Sequence, residues 1–299
     1  MRAMTDCCLF GQMPSSGKTF GPTKRLADAY AKGLHQIIGR VLTPKLPEMS
    51  LEDWLQSLAE RSQQADIQEA STELARRMFS WANISNARTW REAAAKSQKS
   101  RQLYAYLQKE LTGTPTGHRV NQLIAQNANY ISSLPLDAAR TLVNEVTKTQ
   151  QSGARAGTVA KMMRSRFPIL LRSRVHLISR TETAKASLAL TQARCEDIGI
   201  QFAQWATSED VRVRTSHRKM DKVIFAWNDL PDPEALAGEK HTDHYGPGGI
   251  YNCRCTSMPV LDVDDIHFPA KVHHHGSVTT MGKQAFLKTF GITAHATTH

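Results

Sequence analysis

The chain has 299 residues, of which 40% are hydrophobic and 22% charged, and its net charge is +11. That length supports one large domain or two smaller ones with a sizeable core, and the composition is that of an ordinary soluble protein. No run of about 18 apolar residues occurs, which excludes a membrane-spanning helix. The stretch Met1 to Phe10 lacks the apolar core of a secretory signal, so a cytoplasmic product is expected.

Residues 1 to 22 are rich in Gly, Ser and Pro and read as irregular. Gly17-Lys18-Thr19 invites a phosphate-loop reading, but five residues instead of four separate Gly11 from Gly17, and Gly21-Pro22 interrupts the helix that should follow. From Thr23, Leu26, Tyr30, Leu34, Ile37 and Val41 form one apolar stripe at helical spacing, broken at Pro44 and Pro47. Ser50 and Asp53 resemble a capping box ahead of Leu51, Trp54, Leu55 and Leu58. A further helix places Ile67, Ala70, Leu74, Met78 and Trp81 on one face. Trp90 to Leu111 is helical by propensity, and Gly113 to Gly117 reads as a linker.

Beyond the linker, Val120, Leu123, Ile124 and Ile131 predict a helix that stops near Pro135. Another follows from Leu136 to Gln151, ended by Gly153, and a short basic helix from Thr158 is expected to end at Pro168. Val175 to Ile198 is the best helix in the chain, with Leu177, Thr181, Ala184, Leu188, Thr191 and Cys195 on a stripe rich in small residues, so it is expected to be central. Ile200 to Ala206 and Thr256 to Leu261 read as strands. Residues 270 to 281 read as a hairpin carrying His273, His274 and His275 as exposed residues, and Gly282 to Phe290 as a terminal helix.

Between Lys148 and Arg194, ten Lys and Arg face a single acid, Glu182. Arg155, Lys161, Arg164, Arg166, Arg172 and Arg174 from this block are the candidate contacts for double-stranded DNA or an acidic partner. Few aromatic residues interleave them, which argues against a single-strand stacking platform.

The segment from Trp205 to Cys255 gathers the groups that a compact site needs. The five cysteines are Cys7, Cys8, Cys195, Cys253 and Cys255. Their odd number and tight spacing point to free thiols or a metal site instead of a disulfide framework. Cys253 and Cys255 with His217, His241 and His244 offer a zinc set, although Cys-x-Cys is less usual than the wider spacing of structural zinc sites. Alternatively the two thiols are small buried hydrophobes on one face of an extended segment. His217 and Asp221, four residues apart, would make a general base and its orienting carboxylate on a helix, with Cys253 or Cys255 as nucleophile. Arg180 to Thr183 are similar to elements of ADP-ribosyl transferases, but the later Glu-x-Glu element is missing. The favoured reading is structural: Arg180 and Glu182 pair with Asp210, Arg212, Arg214 or Asp221 and hold the loops to the central helix, while His217 completes the cluster.

Ile178-Ser179-Arg180-Thr181-Glu182, Trp205 through Thr207, Asp210, Val213-Arg214, Ser216-His217, Met220-Asp221, Asn228-Asp229 and Tyr251-Asn252-Cys253-Arg254-Cys255 together resemble the phage Mu F-like head morphogenesis family, the minor head proteins of tailed phages. Asn127-Ala128, Leu134-Pro135 and Arg166-Phe167-Pro168 also look like longer members of that family. Position 222 departs from the pattern: Lys222 stands where the family often has Gly, so a tight positive-φ turn is not expected there. The resemblance implies a virion protein, assembled in the host cytoplasm, that acts in head morphogenesis near the portal. Its implied partners are the portal protein, the major capsid protein or scaffold, and double-stranded DNA, with no membrane.

The expected fold class is α+β. A helical N-terminal half (1–150) precedes a smaller loop-rich α+β head-morphogenesis domain (151–265) and a hairpin and helix tail (266–299). The alternative function is a metal-dependent or cysteine-based enzyme using His217, Asp221, Cys253 and Cys255.

Overall fold

The computed structural model describes residues 20–42, 50–94, 115–151 and 156–292. The architecture is α+β, with the helices in the first part of the chain and a five-stranded mixed sheet in the last. The Gly17 segment, the Pro44 and Pro47 break, most of the Trp90–Leu111 stretch and Gly153 lie outside the described residues.

Helix α1 (Lys24–Val41) starts at Thr23, whose hydroxyl accepts a hydrogen bond from the Leu26 amide. All five residues of its predicted stripe are buried. Helix α2 (Leu51–Gln63) is capped as expected, the Asp53 amide donating to Ser50 Oγ. Helix α3 (Ala65–Ala94) buries Ile67, Ser71, Ala75, Met78, Ala82, Asn86 and Trp90, whereas Trp81 is 48% exposed. Trp81 falls outside the expected stripe because the buried face steps from Met78 to Ala82.

Two predicted helix ends are overturned. Helix α4 (Pro115–Gln151) runs through Pro135, and helix α5 (Ala156–Asp197) runs through Pro168. An interior proline costs about 3 kcal/mol, while each fully buried large apolar side chain contributes about 1.5–3 kcal/mol. Around Pro135 the buried residues are Leu134, Ala138, Ala139 and Leu142; around Pro168 they are Phe167, Leu171 and Val175. Packing therefore outweighs the local break. Likewise Pro115, expected in a linker, occupies the first position of α4, where its missing N–H costs nothing.

Helices α1 to α5 enclose one apolar cluster that includes Tyr30, Trp54, Ile131, Leu142 and Val175. The second half of α5 stays in that cluster through Ala186 and Leu190 and also enters another through Leu188 and Cys195, formed with Trp90 of α3, Trp205, Phe225, Tyr245, Cys253 and Cys255. Arg194, on α5, is fully buried and donates to Asn83 and Asn86 on α3, while Asn86 donates to Thr191 Oγ1 at 2.8 Å. It is therefore a clamp between helices and no part of a contact surface, a correction to its place in the basic block.

Strands β1 (Phe202–Ala206), β2 (Ile224–Ala226), β3 (Thr256–Pro259), β4 (Ala270–His274) and β5 (Ser277–Met281) form the sheet in the order β3-β1-β2-β4-β5. Only β2 and β4 pair in parallel. Short helices α6 (Thr215–Lys219) and α7 (Pro233–Leu236) lie in the loops, and α8 (Lys283–Thr289) packs Phe286 on Phe202 and Phe268.

The hairpin at β4 and β5 forms as predicted, but His273 is not exposed. Its ring is fully buried and its Nδ1–H donates to the Asp229 carbonyl at 3.1 Å. Val272 and His273 point to opposite faces of β4 and both are buried, so both faces of the strand are covered at this point, whereas His275 is exposed in the turn.

Candidate functional site

The loop between β1 and β2 carries α6 and therefore His217. Three backbone hydrogen bonds close this loop: Trp205 N–H donates to Val223 O, Lys222 N–H to Trp205 O, and Val223 N–H to Met220 O. They hold Lys222 at φ 64, so the tight left-handed turn forms although the residue is lysine. This corrects the expectation at position 222. The left-handed conformation costs a non-glycine residue about 1–2 kcal/mol, and three short backbone bonds offset it.

His217 is buried, and its two ring nitrogens have different neighbours. Nε2 lies 2.9 Å from Tyr245 Oη, and Tyr245 in turn donates to Glu234 Oε2 at 2.7 Å. A phenol has one proton, so a Tyr245 that donates to Glu234 accepts from His217 Nε2–H. Burial first, then the neighbouring Glu234 carboxylate, push the Tyr245 phenol far above its ordinary pKa and keep that proton in place. Ser216 Oγ donates to Glu234 Oε1. With Nε2 occupied, Nδ1 is the ring nitrogen left for the thiols. It faces Cys253 Sγ at 3.4 Å and Cys255 Sγ at 3.5 Å. Trp205 closes the remaining side, edge-on to the His217 ring.

Cys253 and Cys255 are buried free thiols on an extended segment, so the i and i+2 side chains share one face. The Cys255 amide also donates to Cys253 Sγ. The hydrogen bond from Cys255, followed by the His217 ring, pulls the Cys253 thiol below its ordinary pKa against the effect of burial. Cys255, which donates that hydrogen bond and keeps its proton, moves upward, and burial adds to the shift. Among the described residues, His217, Cys253 and Cys255 are the one group with metal-ligand atoms mutually within 4.8 Å. A cleft of about 60 Å³ opens beside them, bordered by Ser208, Arg212, Arg214 and Arg254.

The segment reaches α5 through Asn252. Its amide donates to Thr181 Oγ1 at 2.9 Å, and its side-chain oxygen accepts from Arg180 at 2.9 Å. Gly248, at φ +92, lets the preceding loop close on α5; a Cβ there would lie 3.3 Å from Cys255 O and 3.5 Å from Ala184 O. Glu182, the last residue of the Arg-Thr-Glu run, points elsewhere. It accepts from Asn127 on α4, whose carbonyl accepts from Tyr30 Oη on α1, and it lies 3.6 Å from Lys185.

The polar network expected from the sequence is thus partitioned differently. Arg180 meets Asn252, and Glu182 meets Asn127, not the loop acids. Asp210 pairs with Arg254, whose guanidinium hydrogen bonds hold the Asp210 carboxyl below its usual range. Arg214 donates to the Tyr251 carbonyl and lies over the Tyr251 ring. Asp221 accepts from the Thr207 amide and hydroxyl, so the His217–Asp221 base and orienter pair does not form. Its place is taken by Tyr245 and Glu234. His241 pairs with Asp232, and His244 Nδ1 with the Leu230 carbonyl, so neither joins the cysteines.

In the basic block, Lys161, Arg166 and Arg172 are exposed on α5, with Glu145 3.5 Å from Arg166. Arg174 donates to Thr141, Arg155 lies outside the described residues, and the Arg164 side chain does too.

No sequence signal marked Tyr245 or Glu234. Both are brought to His217 by loop closure alone, and only Asp232-Pro233 before Glu234, a helix-start pattern, hints that the carboxylate sits on a helical turn.

The molecule is therefore an α+β protein in which a helical bundle carries a small mixed sheet closed around a buried His–Cys–Cys cluster. Residues 140–258 match the family model described as phage Mu protein F like protein. The chain is also similar to an uncharacterized protein of Haemophilus influenzae, 34% identical over 167 residues, which is 56% of this chain. The match spans 34% of that relative's length. No solved structure matches the chain. No helix among the described residues is long and apolar enough to cross a membrane.

Proposed function

We propose that the chain is a minor head protein that acts in tailed-phage head assembly at the portal. The observation that carries this reading is the Mu F-like match over residues 140–258, which takes in the end of α4, all of α5 and the whole His–Cys–Cys cluster. Two features support it. Trp81 and Ile84, one turn apart on α3, leave 48% and 55% of their surface exposed on the helical front, which suits docking to a protein surface. Lys161 and Arg172 recur on one face of α5 and suit an acidic partner or the packaged double-stranded DNA.

The test is a tagged pull-down from phage-producing cells, with bound proteins identified by mass spectrometry. Recovery of the portal or major capsid protein, abolished by Trp81→Ser with Ile84→Ser, is the expected result. Recovery of neither protein from cells where both are abundant would overturn the proposal.

A further inference from the structure

The geometry points to a zinc site made by His217 Nδ1, Cys253 Sγ and Cys255 Sγ, with its fourth position open to the cleft bordered by Arg212 and Arg214. This goes beyond the assembly role and does not depend on it.

Four observations carry the inference. First, both sulfurs converge on the same ring nitrogen at 3.4 and 3.5 Å. The three donor atoms lie within 4.8 Å of one another, so a single cation between them is within reach of all three. Second, those distances have the right size. Zinc–nitrogen and zinc–sulfur bonds of about 2.05 and 2.3 Å at tetrahedral angles place nitrogen and sulfur about 3.6 Å apart. Third, the far side of the ring is fixed by Tyr245 and Glu234, the kind of outer partner that selects the Nδ1-ligating tautomer and orients the imidazole. Fourth, the donor set is two soft thiolates and an imidazole, which favours zinc over magnesium or calcium.

His241 and His244 are held by Asp232 and Leu230 and supply no fourth ligand. The cleft of about 60 Å³ has room for roughly two waters at about 30 Å³ each. One of them completes the tetrahedron. Zinc takes both sulfurs as thiolates, and their protons pass to solvent. Binding ties α6 to the Asn252–Cys255 segment and through Asn252 to α5, so the metal fastens the loops that the sheet alone does not reach.

The test uses the full-length chain with Cys7→Ser and Cys8→Ser, which removes the only other paired thiols. After reduction and chelation, Co²⁺ is titrated in as a spectroscopic probe, and zinc is measured by mass spectrometry after reconstitution and dialysis. The expected result is one metal per chain, sulfur-to-cobalt charge-transfer absorption with tetrahedral visible bands, and displacement of cobalt by zinc. Cys253→Ser and His217→Gln lower zinc affinity at least tenfold. Glu234→Gln weakens affinity by about 10-fold or more while keeping the cobalt spectrum. Absence of the charge-transfer band in the folded, reduced parent protein would overturn the proposal, and so would a band unchanged by Cys253→Ser. Should the ligand variants fail to fold, the parent titration still decides, because it needs no substitution at the site.

Discussion

Asn252 and Thr181 lie 71 residues apart, and the Asn252 amide donates to the Thr181 hydroxyl at 2.9 Å while Arg180 takes the Asn252 side-chain oxygen. Asn252 sits at φ 55, a left-handed conformation that asparagine tolerates better than most residues. Asn252→Ala removes the side-chain bond and adds conformational strain, and a drop of about 2 kcal/mol in unfolding free energy is expected. Thr181→Val should cost about 1–2 kcal/mol by leaving the Asn252 amide unpaired, and Thr181→Ser should restore most of it. Urea denaturation of the singles and the double variant checks this; the two remove different hydrogen bonds at one junction, and the departure of the double from the sum measures how far they are coupled.

Lys222 is held left-handed by hydrogen bonds of its loop. Lys222→Gly relieves about 1–2 kcal/mol of strain and gives part of it back to the larger unfolded-state entropy of glycine. A net stabilisation of up to about 1 kcal/mol is expected, read as a higher midpoint in thermal melts. A lower midpoint would show that the turn is not strained.

Arg194 is buried with its guanidinium on Asn83 and Asn86. Arg194→Met keeps the volume but strands the buried Asn86 amide oxygen and the half-buried one of Asn83. The expected cost is about 3 kcal/mol, much more than for Arg172→Met on the exposed face of the same helix. Parallel denaturation of the two variants measures the contrast.

His273 supplies a pH dependence. Burial lowers its pKa, and Asp229 only partly opposes this. Its Nδ1–H is bonded to a carbonyl, and its Nε2 is buried without a partner, so protonation would bury an unpaired cationic N–H. The unfolded chain therefore binds more protons than the native one below the unfolded histidine value of about 6.5. Stability from this residue is present above that value and falls as pH drops below it. His273→Gln should flatten the change in melting temperature between pH 7 and roughly 5, over the range where histidine titrates.

If α5 meets DNA, affinity should fall steeply with salt. Replacing Lys161, Arg166 and Arg172 with Gln should lower the slope of log K against log salt by about 0.9 for each phosphate that is no longer neutralised. Fluorescence anisotropy over a salt series measures it, and a slope indifferent to the three substitutions removes this helix as the DNA-facing surface.

The apolar stripe of α1, the Ser50 cap, the central helix and the β4–β5 hairpin were legible because each depends on spacing within a few residues. Pro135 and Pro168 misled because a proline's cost is local, while the burial of Leu142 or Val175 that outweighs it comes from distant helices. His217, Cys253 and Cys255 were visible as residue types, but their convergence was not. His217 sits on a short helix after β1 and the cysteines precede β3, and only the antiparallel pairing of those two strands brings them together. The acids nearest in sequence, Asp210 and Asp221, were the natural partners to name, yet loop closure turned one to Arg254 and the other to Thr207.

Helix α5 spans 42 residues, about 63 Å at 1.5 Å per residue, and it is shared by the bundle core and the cluster core. It is built in along its length like a beam, at Phe167, Leu171 and Val175 in the bundle and at the buried Arg194 and Asn86 joint near its end. The loops seated at Thr181 therefore share one continuous backbone with the bundle, and loosening the bundle around Val175 also loosens their footing.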